Sequence, residues 1–335
     1  MIELAVFGAG RMGQIHARNA ALHPGLNLKF IADPIDSPAR DALLAMTGAT
    51  LATPEEIFAD PAIAGVVVAS STDSHAELIR AAAEAGKAVF ADKPISLDFA
   101  AVLEVAAAVE AAGVPSMLGF QRRYDAPFRA LKQRIDSGAS GRLETVLMQS
   151  RDPSPPPASY ARSSGGFFRD SAIHDMDMAR YLLEEPVARV WATGSCLVSE
   201  ELGAIGDIDT GMIALTTVSG RIATLMNSRR GPMGYDQRLE AFCAAEVLSV
   251  GNQRLSPLAI SAPDGETLQP PMNYFPARFA QAYADEMDAF ARLIAEGTPP
   301  LATMADGLEA QRLVEAAIRS LETGLPVDFA PDWRP

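Results

Sequence analysis

Asp170 and His174 stand four residues apart in the segment Ser164-Gly165-Gly166-Phe167-Phe168-Arg169-Asp170-Ser171-Ala172-Ile173-His174-Asp175-Met176-Asp177. On a helix that spacing places both side chains on one face. A carboxylate so placed can orient an imidazole, or the two groups can grip one polyol. A histidine has the pKa to act as a general base near neutrality. Asp175 and Asp177 can cap, solvate or hold the second ring nitrogen. A metal held by Asp170, His174 and Asp177 is disfavoured, because no further histidine or cysteine lies nearby in sequence. A histidine packed for structure alone is the plain alternative.

Gly8-Ala9-Gly10-Arg11-Met12-Gly13 is a G-x-G-x-x-G loop between a strand pattern and a helix pattern, the context that gives the motif meaning. Gly8 permits the tight turn, Gly10 lets a pyrophosphate reach the backbone, and Gly13 lets helix and strand pack closely. Asp33 ends the second strand 20 residues after Gly13. A carboxylate there accepts from ribose hydroxyls and repels a 2′-phosphate, which favours NAD over NADP. Ser70, Ser71 and Thr72 follow a Val66-Val67-Val68 strand and face the same crevice, with His75 in the first turn of the next helix. A simple helix cap is compatible with that role. Asp92-Lys93-Pro94 ends the next strand. Lys93 can hydrogen-bond a reacting hydroxyl there, and Pro94 restricts it, a cis bond being one way to do so. A solvated lysine in a turn is equally compatible with the triplet alone.

These groups need elements to position them. Residues 2–7, 26–32, 65–69, 88–91 and 116–120 read as strands, and 11–22, 73–85 and 99–112 as helices. Such alternation implies βαβ units and a doubly wound parallel sheet. After about residue 120 the pattern changes. A helix over 125–135 and a strand over 143–148 lead into Asp152-Pro153-Ser154-Pro155-Pro156-Pro157, which is neither helix nor central strand. A helix over 170–183 precedes long strands from 190 to about 260, with a hairpin at Ser219-Gly220, and helices return over 277–295 and 305–322. The expected fold is therefore α/β: a Rossmann domain over 1–120, then an α+β domain over 121–335 with an open, mostly antiparallel sheet. Helix 305–322 is expected to pack back on the first domain. The uncovered sheet face should bury itself against other subunits.

The 335 residues carry a formal net charge of -14. That balance argues against nucleic acid and against an anionic membrane surface as partners. It suits a small neutral substrate. The start of the chain shows no basic, apolar leader pattern, and no apolar run reaches the ~20 residues of a membrane helix. Cys196 and Cys243, the two cysteines, offer no disulfide framework, so the cytoplasm is expected.

Together these segments, with Gly119-Phe120-Gln121-Arg122-Arg123-Tyr124-Asp125 and the late stretch Arg278-Phe279-Ala280-Gln281-Ala282-Tyr283, resemble the glucose–fructose oxidoreductase / inositol dehydrogenase / rhizopine-catabolism superfamily over nearly the whole chain. The inositol branch is the most similar part of it. The resemblance implies NAD-dependent oxidation of a ring hydroxyl of a cyclic polyol, with myo-inositol going to the 2-keto product. It implies Lys93, Asp170 and His174 as the catalytic set. His174 takes the hydroxyl proton, Asp170 binds a hydroxyl and works through His174, and Lys93 hydrogen-bonds the same oxygen. Arg123, Asp152 and Tyr235 are expected substrate contacts with them. The expected cofactor contacts are the loop residues Gly8, Gly10, Arg11, Met12 and Gly13, then Asp33, Ser70, Ser71, Thr72, His75, Asp92, Lys93 and Gln121. No metal is expected, and a homo-oligomer, dimer or tetramer, is. Two departures stand out: Asp92 replaces the family's usual glutamate, and Asp152 stands where inositol enzymes often carry asparagine. The competing readings are a same-fold dehydrogenase of an aldose or other sugar and a non-catalytic NAD-binding regulator.

Overall fold

The computed structural model describes residues 1–330 and 332–335. The first 120 residues alternate as expected: β1 (Ile2–Phe7), α1 (Arg11–Leu22), β2 (Leu26–Ala32), α2 (Pro38–Thr47), β3 (Thr50–Leu51), α3 (Pro54–Ala59), β4 (Ile63–Val68), α4 (Thr72–Glu84), β5 (Ala88–Asp92), α5 (Phe99–Ala112) and β6 (Ser116–Gly119). The strands pair in parallel in the order β3-β2-β1-β4-β5-β6. Val66, Val67 and Val68 are fully buried, as a strand covered on both faces requires. The order reverses between β1 and β4, and the carboxyl ends of β1, β4, β5 and β6 all open on that switch point, where such sheets bind ligands. α2, β3 and α3 go beyond the elements read from the sequence. Their caps are local: Ser37 accepts from the Arg40 amide, and Thr53 and Glu56 form a reciprocal capping box.

A short 3₁₀ turn (Gln121–Tyr124) leads to α6 (Ala126–Asp136), β7 (Leu143–Arg151) and α7 (Ala158–Ser164). The helix expected over 170–183 is two elements, a wider π-helical stretch (Phe167–Ala172) and then α8 (Ile173–Leu183). Then follow β8 (Val187–Ser195), α9 (Glu200–Ala204), β9 (Thr210–Thr217), β10 (Ile222–Ser228), β11 (Asp236–Cys243), β12 (Val247–Val250), the hairpin β13 (Ala259–Ala262) with β14 (Gly265–Leu268), and α10 (Phe275–Arg278). With β15 (Val327–Asp328) they form a seven-stranded sheet, β12-β11-β7-β10-β9-β8-β15, antiparallel except for the parallel pair β7 and β10. Its central strands largely alternate. Val146, Met148, Ile213, Leu215, Ala223, Leu225, Leu239 and Ala241 are buried, while their neighbours in sequence face outward.

The remaining helices are α11 (Ala280–Glu296) and α12 (Met304–Thr323). The chain divides into two compact units, one of residues 1–124 with 281–311 and one of residues 125–280 with 312–335. In the first, α11 lays Tyr283, Met287 and Phe290 inward, and the Phe290 ring meets Phe90 of β5 at 5.7 Å between centroids. In the second, the distal part of α12 is tied down by Ser320, whose Oγ accepts from the Ala192 amide at 2.9 Å. No helix among the described residues is long and apolar enough to cross a membrane.

Candidate active site

Five strand ends of the first unit carry the site residues expected from the sequence. Gly8, Gly10, Arg11, Met12 and Gly13 span the end of β1 and the start of α1. A Cβ on Gly13 would lie 2.0 Å from the Gly8 carbonyl oxygen, so only glycine allows this approach of helix to strand. A Cβ on Gly10 would meet nothing, and the N-terminus of α1 has no side-chain cap. The space and the amide donors that a pyrophosphate needs are thus present. Asp33 ends β2 and accepts from the Ala9 amide at 2.6 Å and the Ile35 amide at 2.8 Å. Its carboxylate is thereby aimed at the glycine loop. These residues fit a dinucleotide.

After β4, Ser71 takes the N-cap position of α4 without a side-chain cap, Thr72 is the first helical residue, and the Ser70 and Ser74 hydroxyls lie 2.7 Å apart. His75 is buried. Its Nδ1 lies 2.8 Å from the Pro94 carbonyl and its Nε2 lies 3.2 Å from the Ser70 carbonyl, so the ring joins two of the loops. Lys93 follows β5, half-buried, its amide donating to Asp92 Oδ1 at 3.0 Å and its bond to Pro94 cis. Asp92 itself stands opposite Gly119 of β6, where a Cβ would come within 3.2 Å of Oδ1. Gln121 is buried in the turn after β6. Arg123, expected at the substrate, is buried with its guanidinium donating to the Leu301 carbonyl at 2.6 Å and to Asp306 at 3.0 Å. That geometry ties the 121–124 turn to residues 301–306.

Behind Asp92 lies a polar group that the sequence reading missed. Glu286 of α11 is wholly buried, and neither carboxyl oxygen has a hydrogen-bond partner among the described residues. Burial, reinforced by the charge of Asp92, raises its pKa well above the usual glutamate value. His16 of α1 is buried against Phe90 and Tyr283. Burial pushes its pKa down, against the pull of Asp92. The helical spacing of Ala282, Tyr283, Glu286 and Phe290 on one face was the available signal.

In the second unit, strand register does the positioning. β7 and β10 run in parallel with Ser150 opposite Asn227, both on the buried face. Ser150 Oγ donates to Asp175 Oδ1 at 2.7 Å and Asn227 Nδ2 donates to Asp175 Oδ2, which anchors the first turn of α8 and hence His174. Two residues further along each strand come Asp152 and Arg229. Arg229 donates from Nη1 to Asp152 Oδ2 at 3.0 Å and from Nη2 to Asp170 Oδ2 at 3.1 Å. Tyr160 of α7 donates to Asp170 Oδ1 at 3.3 Å. Burial works against the charge on Arg229, but the carboxylates of Asp170 and Asp152 overcome it and raise its pKa. The structure therefore brings Asp152 and Asp170 together through an arginine that the motif reading did not single out.

Asp170 sits in the π-helical stretch and His174 in the α-helix after it, so the two are on successive turns of different pitch rather than on one regular face. Gly166, with φ 76°, precedes the stretch. A Cβ there would lie 2.9 Å from Asp207 Oδ1, which accepts from the Phe167 amide. From the other side, Arg169 makes a two-pronged pair with Glu315 at 2.8 and 2.6 Å. Tyr235 is buried, edge-on to Tyr274 and Phe279. Among the described residues, no three His, Cys, Asp or Glu side chains converge as metal ligands would.

Comparison with known proteins agrees with this layout. The family described as "Oxidoreductase family, NAD-binding Rossmann fold" matches residues 2–120, and two GFO/IDH/MocA C-terminal domains match residues 128–249 and 246–329. Inositol 2-dehydrogenase of Rhizobium meliloti (strain 1021) is 39% identical over 98% of this chain and 99% of its own. The crystal structure of a myo-inositol dehydrogenase from Corynebacterium glutamicum superposes with a TM-score of 0.94 at 37% identity, covering 99% of both chains. That of scyllo-inositol dehydrogenase from Lactobacillus casei, with bound NAD(H) and scyllo-inositol, gives 0.90 at 27% identity over 98% of both. The chain belongs to the GFO/IDH/MocA oxidoreductase family, with an NAD-binding Rossmann domain at its N-terminus.

Proposed function

We propose that this protein is an NAD-dependent dehydrogenase that oxidises a ring hydroxyl of an inositol, myo-inositol to the 2-keto product first among them. The observation that carries the reading is the polar cluster of the second unit. Two carboxylates, Asp152 and Asp170, share one buried arginine, with Tyr160 on Asp170 and His174 on the next turn. Carboxylates that only accept hydrogen bonds suit the many O–H donors of a polyol. The relatives named above for inositol, matching over nearly their full lengths, point to the same substrate class. His174 takes the proton from the reacting hydroxyl, Asp170 binds a hydroxyl and orients that base, and Lys93 donates to the reacting oxygen as its charge develops. Gly10, Asp33 and Ser70 to Thr72 would hold NAD, with Gln121 in the turn after β6 beside them, and the cofactor would supply the hydride acceptor.

Asp152 favours a second substrate reading. A carboxylate tied to Arg229 differs in charge and donor pattern from a carboxamide, which moves preference among stereoisomers or toward an aldose. The outward sheet face carries Leu147, Met212, Ile222, Met226 and Phe242, the last three substantially exposed. It is the surface on which we place subunit contacts, in a dimer or tetramer. Two unpaired thiols, Cys196 and Cys243, fit a reducing cytoplasm.

The test is reduced-cofactor formation from NAD, and separately NADP, with myo-, scyllo- and D-chiro-inositol, glucose, galactose and xylose, using Lys93→Ala as the blank. Turnover of an inositol with NAD that the variant abolishes supports the reading. Turnover of an aldose alone moves the substrate, and turnover of none overturns it. Light scattering of Met226→Asp against the unsubstituted protein tests the sheet face.

A further inference from the structure

We propose that Arg229 is a positioning residue of the reaction: its guanidinium, bridging Asp152 and Asp170, fixes the direction of both carboxylates and balances their charge. The proposal rests on the dehydrogenase reading above. The geometry is specific. The Arg229 side chain is 5% exposed, and its two terminal nitrogens go to two different acids, one oxygen of each. A lysine offers a point charge in place of this planar fork. Two neighbouring arginines pair with other acids. Arg151, beside Asp152, pairs with Asp236, and Arg169, beside Asp170, pairs with Glu315. Asp175 is held by Ser150 and Asn227. Tyr160 reaches Asp170 from α7, and Tyr274 also acts on Tyr160. His174 follows on the next turn. Without Arg229, Asp152 and Asp170 would be two acids held by the same surroundings with their shared cation gone.

The experiment compares Arg229→Gln, Asp152→Asn and the double variant by two readouts, the pH profile of kcat/KM and the pH dependence of urea unfolding. NAD binding, followed by fluorescence, checks that the first unit is intact in each. In Arg229→Gln, one carboxylate keeps its proton to higher pH, by about 1–3 units for the loss of a contacting opposite charge. His174 shifts in the same sense, because removing a cation favours the imidazolium. The acid limb of kcat/KM therefore moves up. Because the variant's folded-state pKa lies above that of the unsubstituted protein, its stability falls relative to that protein as pH rises between the two values. Adding Asp152→Asn removes one of the two facing acids, so the limb moves back and the pH dependence of unfolding flattens. A purely structural Arg229 would lower stability at all pH values, leave the acid limb in place and gain nothing from the second change, and that result overturns the proposal. Should Arg229→Gln fail to fold, Asp152→Asn alone decides. The acid limb moves down when Arg229 serves Asp170 alone, and an unmoved limb overturns the proposal. If the unsubstituted protein oxidises no polyol, the dehydrogenase reading fails, while the unfolding readout still decides the charge balance.

Discussion

The imidazole of His75 crosses from the first turn of α4 to the turn after β5, its Nδ1 2.8 Å from the carbonyl of Pro94, with Nε2 3.2 Å from the carbonyl of Ser70. Two loops at neighbouring strand ends are thus held by one ring, and one of them carries Lys93. His75→Phe leaves both carbonyls without the ring nitrogens, a cost of about 1–3 kcal/mol where the groups are buried. We expect weaker NAD binding and a drop in kcat/KM of roughly tenfold, in line with that energy. His75→Gln, which can still donate to Pro94, should recover part of both. Steady-state kinetics and calorimetric titration of NAD check this, and equal behaviour of Phe and Gln would show that the ring nitrogens of His75 do not hold these loops.

The Asp33 carboxylate, which we propose receives the ribose, also accepts from the Ala9 amide of the glycine loop. Asp33→Ala should therefore raise the Kd for NAD and narrow the preference over NADP, by loss of the hydroxyl acceptor and of repulsion against a 2′-phosphate. Titration with both cofactors measures it. A retained preference would place discrimination elsewhere in the loop.

Glu286 predicts a pH-dependent stability. Its folded-state pKa lies well above the ordinary value of 4.5. The folded protein thus keeps a proton that the unfolded chain releases, and stability is lost as pH rises above that ordinary value. Glutamine in its place has no proton to keep. Glu286→Gln should gain on the unsubstituted protein by about 1.4 kcal/mol per pH unit until the folded-state pKa is passed. Thermal unfolding at pH 5 and pH 8 gives the answer, and a Tm difference that does not change between them would mean Glu286 ionises freely in the folded state.

In the second unit, Asp125 and Arg278 form a buried two-pronged pair at 2.6 and 2.9 Å, with the guanidinium also 4.5 Å from the Phe279 ring centre. Removing one partner strands the other in a dry site. Asp125→Leu should cost about 3–5 kcal/mol, and Asp125→Leu with Arg278→Met distinctly less than that. Chemical unfolding of the three proteins tests the order. A double variant less stable than the single one would show that the pair contributes more than it costs to bury.

The chain's local patterns determined a great deal. Glycines at positions 8, 10 and 13 between a strand and a helix, a continuous valine run at 66–68 and acids or a lysine closing strands are periodicity and turn chemistry, and these are written locally. They specified the parallel sheet, the cofactor loop and the placing of Lys93 at a strand end. Residues 38–59 were silent because their short helices are set by caps at Ser37 and Thr53 rather than by a long apolar stripe. The pitch change between Asp170 and His174 was also beyond local reading, since the π turn is held by groups far off in sequence, Asp207 on the Phe167 amide and Glu315 on the Arg169 side chain.

Tertiary structure alone decided the partners. Asp152 and Arg229 are 77 positions apart, and they meet because β7 and β10 pair in parallel with Ser150 against Asn227, which sets the following residues of both strands on one face. Glu286 and His16 reach the surroundings of Asp92 from opposite ends of the chain because α1 and α11 pack side by side over Phe90 of β5. Arg123 donates to Leu301 and Asp306, partners that nothing in its own segment announced. A sequence lists which groups are available at each strand end. Which of them neutralise one another is set by register and burial, because charges interact over ångströms in space and not over positions in the chain.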